Sequence, residues 1–190
     1  MQSAALQGGF AHAPIDAAHA FRAALQAMAR PGLVQRVTGA QPPAPLSVAA
    51  GVLVLTLMDR STPVFLAPSH DVAMVRDWLT FHTGAPLVAA DRAVFAIGDW
   101  LGLSPLGQFA IGTPEYPDRS ATLIVEQPGL ERGMAVRLRG PGIRDHVQTT
   151  LPDVPALQAN AALFPLGCDF FFTAGADLMA LPRSTKLEAC

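Results

Sequence analysis

Val48-Ala49-Ala50-Gly51-Val52-Leu53-Val54-Leu55-Thr56-Leu57-Met58 is the stretch on which the reading of the fold turns. Only Gly51 and Thr56 interrupt its apolar positions, so periodicity alone does not separate a buried strand from a buried helix. Eleven residues exceed the usual length of a buried strand. Ser47 stands directly before them as an N-cap residue, so the stretch is read as a buried helix. It falls short of the roughly 18 apolar residues that a membrane span requires, and no membrane partner is expected.

Upstream, Ala18, Phe21, Leu25 and Met28 recur at spacings of three, four and three, the apolar face of a helix capped by Asp16 and stopped by Pro31-Gly32. Leu33 to Val37 reads as a short strand, and Gln41-Pro42-Pro43-Ala44-Pro45 as a loop whose prolines forbid helix or ladder. Downstream, Pro63 to Leu66 reads as a strand. Asp71 then caps a helix that carries Val75, Trp78, Leu79 and His82 on one face, and Val94 to Gly98 is a further strand. Leu101 to Pro117 is placed only as a loop with a helical turn. Ser120 to Gln127 and Met134 to Arg139 are expected to pair as a hairpin across the connection that Pro128-Gly129 begins. Pro152 to Leu163 forms a helix, and Gly175-Ala176-Asp177 turns the strand Cys168 to Thr173 into Leu178 to Leu181.

Early alternation of strand and helix followed by paired strands implies an α/β chain, a three-layer α/β/α domain with a mixed sheet. No internal repeat or long linker divides the 190 residues, so one domain spanning 1–190 is expected. With 13 basic and 15 acidic residues nothing supplies the field that nucleic acid requires. The charged share of 15% leaves part of the exterior apolar, which predicts self-association or a larger assembly. Met1 to Leu6 lacks a basic region and a long apolar core, so no secretory signal is read and the cytoplasm is the expected compartment. Cys168 and Cys190 do not make a disulfide framework.

Sites of self-sufficient chemistry are scarce. Twelve of the cations are arginines and Lys186 is the single lysine, which nearly excludes Schiff-base chemistry, and it does not sit in a phosphate-binding glycine loop. Gly140-Pro141-Gly142 reads as a tight exit turn rather than a dinucleotide cradle. The five histidines form no metal-ligand spacing, and no metal is expected. His82 reads as a hydrogen-bonded core histidine and is kept as a candidate polar site residue. His146 reads as a solvated loop residue and Cys168 as a structural thiol. Asp169 and Asp177 flank the last hairpin as turn or edge residues, and Arg137 and Arg139 read as solubilising residues of an edge strand. The best polar cluster is Arg183, Ser184, Thr185 and Lys186, a candidate anion site weighed against a solvated C-terminal tail. No catalytic residue is named.

One family carries the same segments in the same order. Ala20-Phe21-Arg22, Ala27-Met28-Ala29-Arg30-Pro31-Gly32, Leu53 to Leu57 before Thr62-Pro63-Val64, and Phe81-His82-Thr83-Gly84-Ala85-Pro86-Leu87 come first. Ala121-Thr122-Leu123-Ile124, Arg137-Leu138-Arg139-Gly140-Pro141-Gly142-Ile143, Phe164-Pro165-Leu166-Gly167-Cys168-Asp169 and Leu181-Pro182-Arg183-Ser184-Thr185 follow. The chain resembles the PhnH family, the H subunit of the bacterial carbon–phosphorus lyase system. The resemblance implies a homodimer acting with G, I and J subunits and an ATPase-like L protein in phosphonate use. The joint reaction displaces adenine from ATP with methylphosphonate, giving ribose 1-methylphosphonate 5-triphosphate. It also implies a fold like that of pyridoxal-phosphate transferases without their active site, and no cofactor. The alternatives are a stand-alone phosphate- or nucleotide-using enzyme with Arg183, Ser184 and Lys186 at its site, and a binding module without enzymology.

Overall fold

The computed structural model describes residues 6–190, so the reading of Met1 to Ala5 lies outside the described residues. Five α-helices and nine strands follow one another: α1 (Ala13–Ala29), β1 (Gln35–Arg36), α2 (Val48–Leu57), β2 (Val64–Leu66), α3 (Ala73–Thr83), β3 (Phe95–Asp99), α4 (Trp100–Leu103), β4 (Thr122–Glu126), β5 (Met134–Arg139), β6 (Val147–Leu151), α5 (Val154–Ala161), β7 (Asp169–Ala174), β8 (Asp177–Leu181) and β9 (Lys186–Ala189). Short 3-10 turns at Leu106–Gln108 and Pro117–Arg119 punctuate the segment between α4 and β4.

The central sheet is mixed, in the order β1-β8-β7-β4-β3-β2. Strands β2, β3, β4 and β7 run parallel, while β8 and β1 are antiparallel additions at one side. Alternation along these strands divides the core. Ile97, Ile124, Phe171, Leu178 and Ala180 face α1, α2 and α3, whereas Ala96, Leu123, Val125, Phe170, Phe172, Met179 and Leu181 face the opposite side. That second side is covered by α5 and by a separate antiparallel sheet in the order β6-β5-β9. The expected second helical layer is therefore in large part a small sheet.

Helix α2 is buried as read. Ala49 to Val54 are all inaccessible and Ser47 Oγ accepts from the Ala50 N–H at 3.1 Å. Gly51 leaves room for the ring of Pro42, which would lie 2.6 Å from an added Cβ. The proline-rich loop thereby packs on the helix it precedes.

Five expectations are corrected. In α1 the stripe Phe21, Leu25 faces outward, at 53% and 57% exposure, and Ala20, Ala24 and Ala27 face the core. Alanines bring α1 close to α2 and β8, so the apolar side of the helix was the small one. Asp16 also lies inside α1, where its carboxylate accepts from the His12 N–H at 2.8 Å. The β4–β5 hairpin does not form: β4 sits between β3 and β7, and β5 pairs with β6 and β9 in the other sheet. Gly140-Pro141-Gly142 begins the β5–β6 hairpin instead. Because β5 is central in its sheet, Arg137 and Arg139 are not edge residues, and both lie within 4.0 Å of Glu188 on β9. Asp71 does not cap α3, whose N-cap is Val72; the Asp71 carboxylate pairs with Arg76.

Phe172 is fully buried on the small-sheet side, and Phe172→Ala is expected to lower unfolding free energy by about 3–5 kcal/mol. Gly142 has φ 80°, and an added Cβ would lie 1.9 Å from the Ala29 carbonyl oxygen. Gly142→Ala is expected to cost at least about 1–3 kcal/mol through backbone strain alone. Urea unfolding midpoints check both; a midpoint unchanged from wild type would contradict the packing described.

Candidate functional site

The C-terminal cluster is folded into the body rather than left as a tail. Asp169 opens β7 and Arg183 follows β8, so the antiparallel β7–β8 pair brings the two together. Arg183 N–H and Nε–H donate to Asp169 Oδ1 at 2.8 and 3.1 Å, and an Nη–H donates to Oδ2 at 2.5 Å. The other Nη donates to the Pro117 carbonyl at 2.6 Å. This bidentate fork leaves little of the guanidinium free for an anion. Ser184 lines a groove of about 370 Å³ with Leu25, Met28, Pro141, Asp169 and Pro182. Thr185 is 1% exposed with an unpartnered Oγ1, and Lys186 is an exposed residue of β9 in register with Arg139. Lys186 thus lies in a strand where none was expected.

His82 sits on α3 against Trp78, ring centroids 4.9 Å apart. Trp78 Nε1–H donates to the Gln7 carbonyl at 2.9 Å, and His82 Nε2 lies 3.2 Å from the same oxygen. The ring is half-buried and holds the incoming N-terminal segment beside Gly9. His146 is exposed, with Nδ1 2.9 Å from Asp145 Oδ2. Neighbours in sequence meet here because the segment is a loop, where the strand rule that points them apart does not apply. Burial pushes the Cys168 thiol up to about 11, and the inert reading of that residue agrees with its place in the core.

The carboxyl ends of the parallel strands, where open α/β sheets commonly present their ligand sites, hold groups the sequence reading passed over. Beyond β2, Ser69 Oγ lies 2.9 Å from His70 Nδ1 and accepts weakly from the Asp99 N–H at 3.4 Å. His70 is 4% exposed, and burial lowers its pKa against the opposing charge of Asp99, so the imidazole is neutral near pH 7. Its Nε2 has no partner, and Asp99 Oδ1 is engaged by the Gly102 N–H at 2.8 Å. The pair is a base beside an exposed hydroxyl, without the orienting carboxylate that a relay requires.

At the end of β4, Glu126 accepts from the Ser47 N–H at 2.6 Å and from Thr173 Oγ1–H at 2.9 Å. Burial raises its pKa, opposed by those two donors. Beyond the ends of β4 and β7 a cavity of about 660 Å³ opens, lined among others by Gly129, Glu131, Thr149, Thr150, Gly175 and Asp177. Neither Lys nor Arg lines it. No group of three or more His, Cys, Asp or Glu side chains converges as a metal site among the described residues. No helix of the described residues is long and apolar enough to cross a membrane.

Because the fold holds the proton on Glu126 more tightly than the unfolded chain does, its stabilising contribution is complete below the ordinary value of 4.5. That contribution is lost as pH rises through the raised folded value. Glu126→Gln keeps an acceptor for Ser47 and removes the loss. Its advantage over wild type in urea midpoint is expected to grow between about pH 4 and pH 7.5, and an equal gap at both would refute the assignment. Removing Arg183 strands the Asp169 carboxylate, and Arg183→Ala is expected to cost about 3–5 kcal/mol in the same measurement.

Comparison with known proteins agrees with the family resemblance. The family described as bacterial phosphonate metabolism protein (PhnH) matches residues 8–188. The alpha-D-ribose 1-methylphosphonate 5-triphosphate synthase subunit PhnH of Rhizobium meliloti (strain 1021) is 43% identical over 195 aligned positions, covering 98% of each chain. A protein of Stutzerimonas stutzeri named as a candidate C-P lyase subunit, HtxG, is 29% identical over 196 positions and 95% of each chain. Matched over nearly its whole length, the chain belongs to the PhnH family of bacterial phosphonate metabolism proteins.

Proposed function

We propose that this chain is a subunit of the carbon–phosphorus lyase system. With G, I and L subunits it serves the formation of alpha-D-ribose 1-methylphosphonate 5-triphosphate from ATP and methylphosphonate, and it is not catalytic alone. The relative of Rhizobium meliloti bears that synthase's name. The observation that carries the second half is the commitment of Arg183, Glu126 and Cys168 to the fold. Arg183 is forked to Asp169, Glu126 holds the start of α2, Cys168 is buried, and His70 has no orienting carboxylate. The same commitment weighs against a stand-alone enzyme built on Arg183, Ser184, Thr185 and Lys186.

The likeness to pyridoxal-phosphate transferases, with the cofactor site lost, stays part of this reading. Lys186, the sole lysine, is an exposed residue of β9 and lines neither the 370 Å³ groove nor the 660 Å³ cavity. The cytoplasm is the proposed compartment, since ATP is a substrate of the joint reaction.

The homodimer belongs to the same proposal, and α1 offers its surface. Spacings of three, four and three at Ala18, Phe21, Leu25 and Met28 are unchanged when the helix is turned end to end. A two-fold axis at residue 23 therefore sets Phe21 of one copy against Leu25 of the other, a self-complementary contact. The 370 Å³ groove that begins at Leu25 and Met28 gives the Phe21 ring a place to seat.

Deleting the gene is expected to abolish growth on methylphosphonate as sole phosphorus source, with growth on phosphate unaffected. Reconstituted triphosphate formation should drop at least about tenfold when this subunit is left out, more than 1.4 kcal/mol of barrier. Turnover of ATP and methylphosphonate by the isolated chain would overturn the proposal. Phe21→Glu with Leu25→Glu is expected to give monomers by light scattering with the helical content retained.

A further inference from the structure

Among the described residues the two sheets have four edges, and three of them are short or covered. Strand β1 has two residues. Strand β2 is closed off by the following segment, since Val64 N–H donates to the Pro86 carbonyl and Val88 N–H to the Val64 carbonyl, both at 2.9 Å. Strand β9 is packed by α5, whose Gln158 Nε2–H donates to the Leu187 carbonyl at 2.8 Å. The fourth edge, β6, is Val147-Gln148-Thr149-Thr150-Leu151, five residues with no proline and no charge to blunt it.

Its backbone groups can be assigned. Cys190 N–H reaches the Ala135 carbonyl on the β9 side, so along β5 the groups of Ala135 and Arg137 face β9 and those of Val136 and Leu138 face β6. Opposite Val136 and Leu138 stand Thr149 and Val147. Gln148 and Thr150 therefore direct N–H and C=O away from β5, and no hydrogen bond among the described residues reaches them. Beside this edge lies the 660 Å³ cavity, lined by Thr149 and Thr150 as well as by the carboxylates of Glu131 and Asp177. Arg36 engages one oxygen of Asp177 at 3.4 Å, and Glu131 is in no ion pair among the described residues.

We propose that the free edge of β6 receives an extended segment of another polypeptide as an added strand, with a basic side chain of that segment entering the cavity toward Glu131. Backbone pairing supplies the affinity of such an addition, and the pocket beside it the selectivity. A second copy of this chain is the poorer occupant. Its own β6 holds no cation, so copy-to-copy pairing of that strand would leave Glu131 unanswered. The proposal rests on the reading of the chain as a subunit of a larger assembly, and names where one of its companions docks.

Amide hydrogen exchange tests it on the wild-type chain, alone and co-expressed with the G, I and J subunits. The Gln148 and Thr150 amides are expected to slow at least about tenfold on assembly, as paired backbone groups do. Proline is tolerated at an edge position whose N–H faces outward. Gln148→Pro should accordingly keep the urea midpoint of the isolated chain while co-purification falls at least tenfold, and Glu131→Lys should weaken it in the same direction. Assembly with both amides exchanging as in the free chain would overturn the docking site and leave the subunit reading standing. A chain that joins no companion would overturn both. Protection of the two amides that rises with the concentration of the isolated chain would assign the edge to a second copy and overturn the proposal as stated.

Discussion

A helix that is apolar on every side has no face to give to water, and the arrangement of this molecule follows from that constraint on α2. Its N-terminal N–H groups are buried with it and must find acceptors inside the protein. Three are found: Ser47 Oγ for Ala50, the Gly175 carbonyl for Ala49 at 2.9 Å, and the Glu126 carboxylate for Ser47. Those acceptors come from the helix's own cap, the β7–β8 turn and the end of β4. The start of α2 is thus fastened to two strands of the sheet beneath it. A carboxylate at a helix N-terminus is electrostatically welcome, yet burial still raises its pKa. Desolvation outweighs the two hydrogen bonds, which marks Glu126 as a buried fastening held at some cost.

The opposite end of the sheet is fastened by charge. Asp169 at the entry of β7 takes the fork of Arg183 at the exit of β8, and Arg183 reaches on to the Pro117 carbonyl ahead of β4. Three segments distant in sequence meet at one guanidinium. From there the chain can only return along the far side of the sheet, where β9 pairs with β5 and closes the small sheet under α5. The last residues, which look like a polar tail, are the third strand of that sheet.

What could be read in advance follows from this division. The buried helix, the β7–β8 hairpin and most strands of the central sheet are local consequences of apolar runs and turn residues, and they stand where the residues place them. The pairing of β4 was misread because adjacency along the chain was taken for adjacency in the sheet. The residues that decide otherwise, Leu123 and Val125 against Ala96 and Phe170, act across more than twenty positions. In α1 the pattern was right and its direction wrong: large residues were assigned to the core, but close helix packing selected the alanines. Of the candidate site residues, Arg183 was read as part of an anion cluster, and its guanidinium is instead forked onto Asp169. Its partner Asp169 lies fourteen positions away and gave no local sign. Glu126 and His70 were invisible for the same reason, since only folding brings Ser47, Thr173 and Asp99 to them.

The outward stripe of α1 and the open edge of β6 are different kinds of surface, and the difference matters for assembly. Phe21 and Leu25 offer apolar area whose attraction is non-directional, suited to a symmetric copy that brings the same stripe. Gln148 and Thr150 offer oriented donors and acceptors, which select an extended backbone and fix its register. A subunit carrying both can meet its own kind through one and a different chain through the other, without competition for the same residues. In a chain with only 15% charged residues, neither surface is screened by a dense polar shell. Under the proposed dimer and docked strand, a low density of charge is what keeping these two faces available requires.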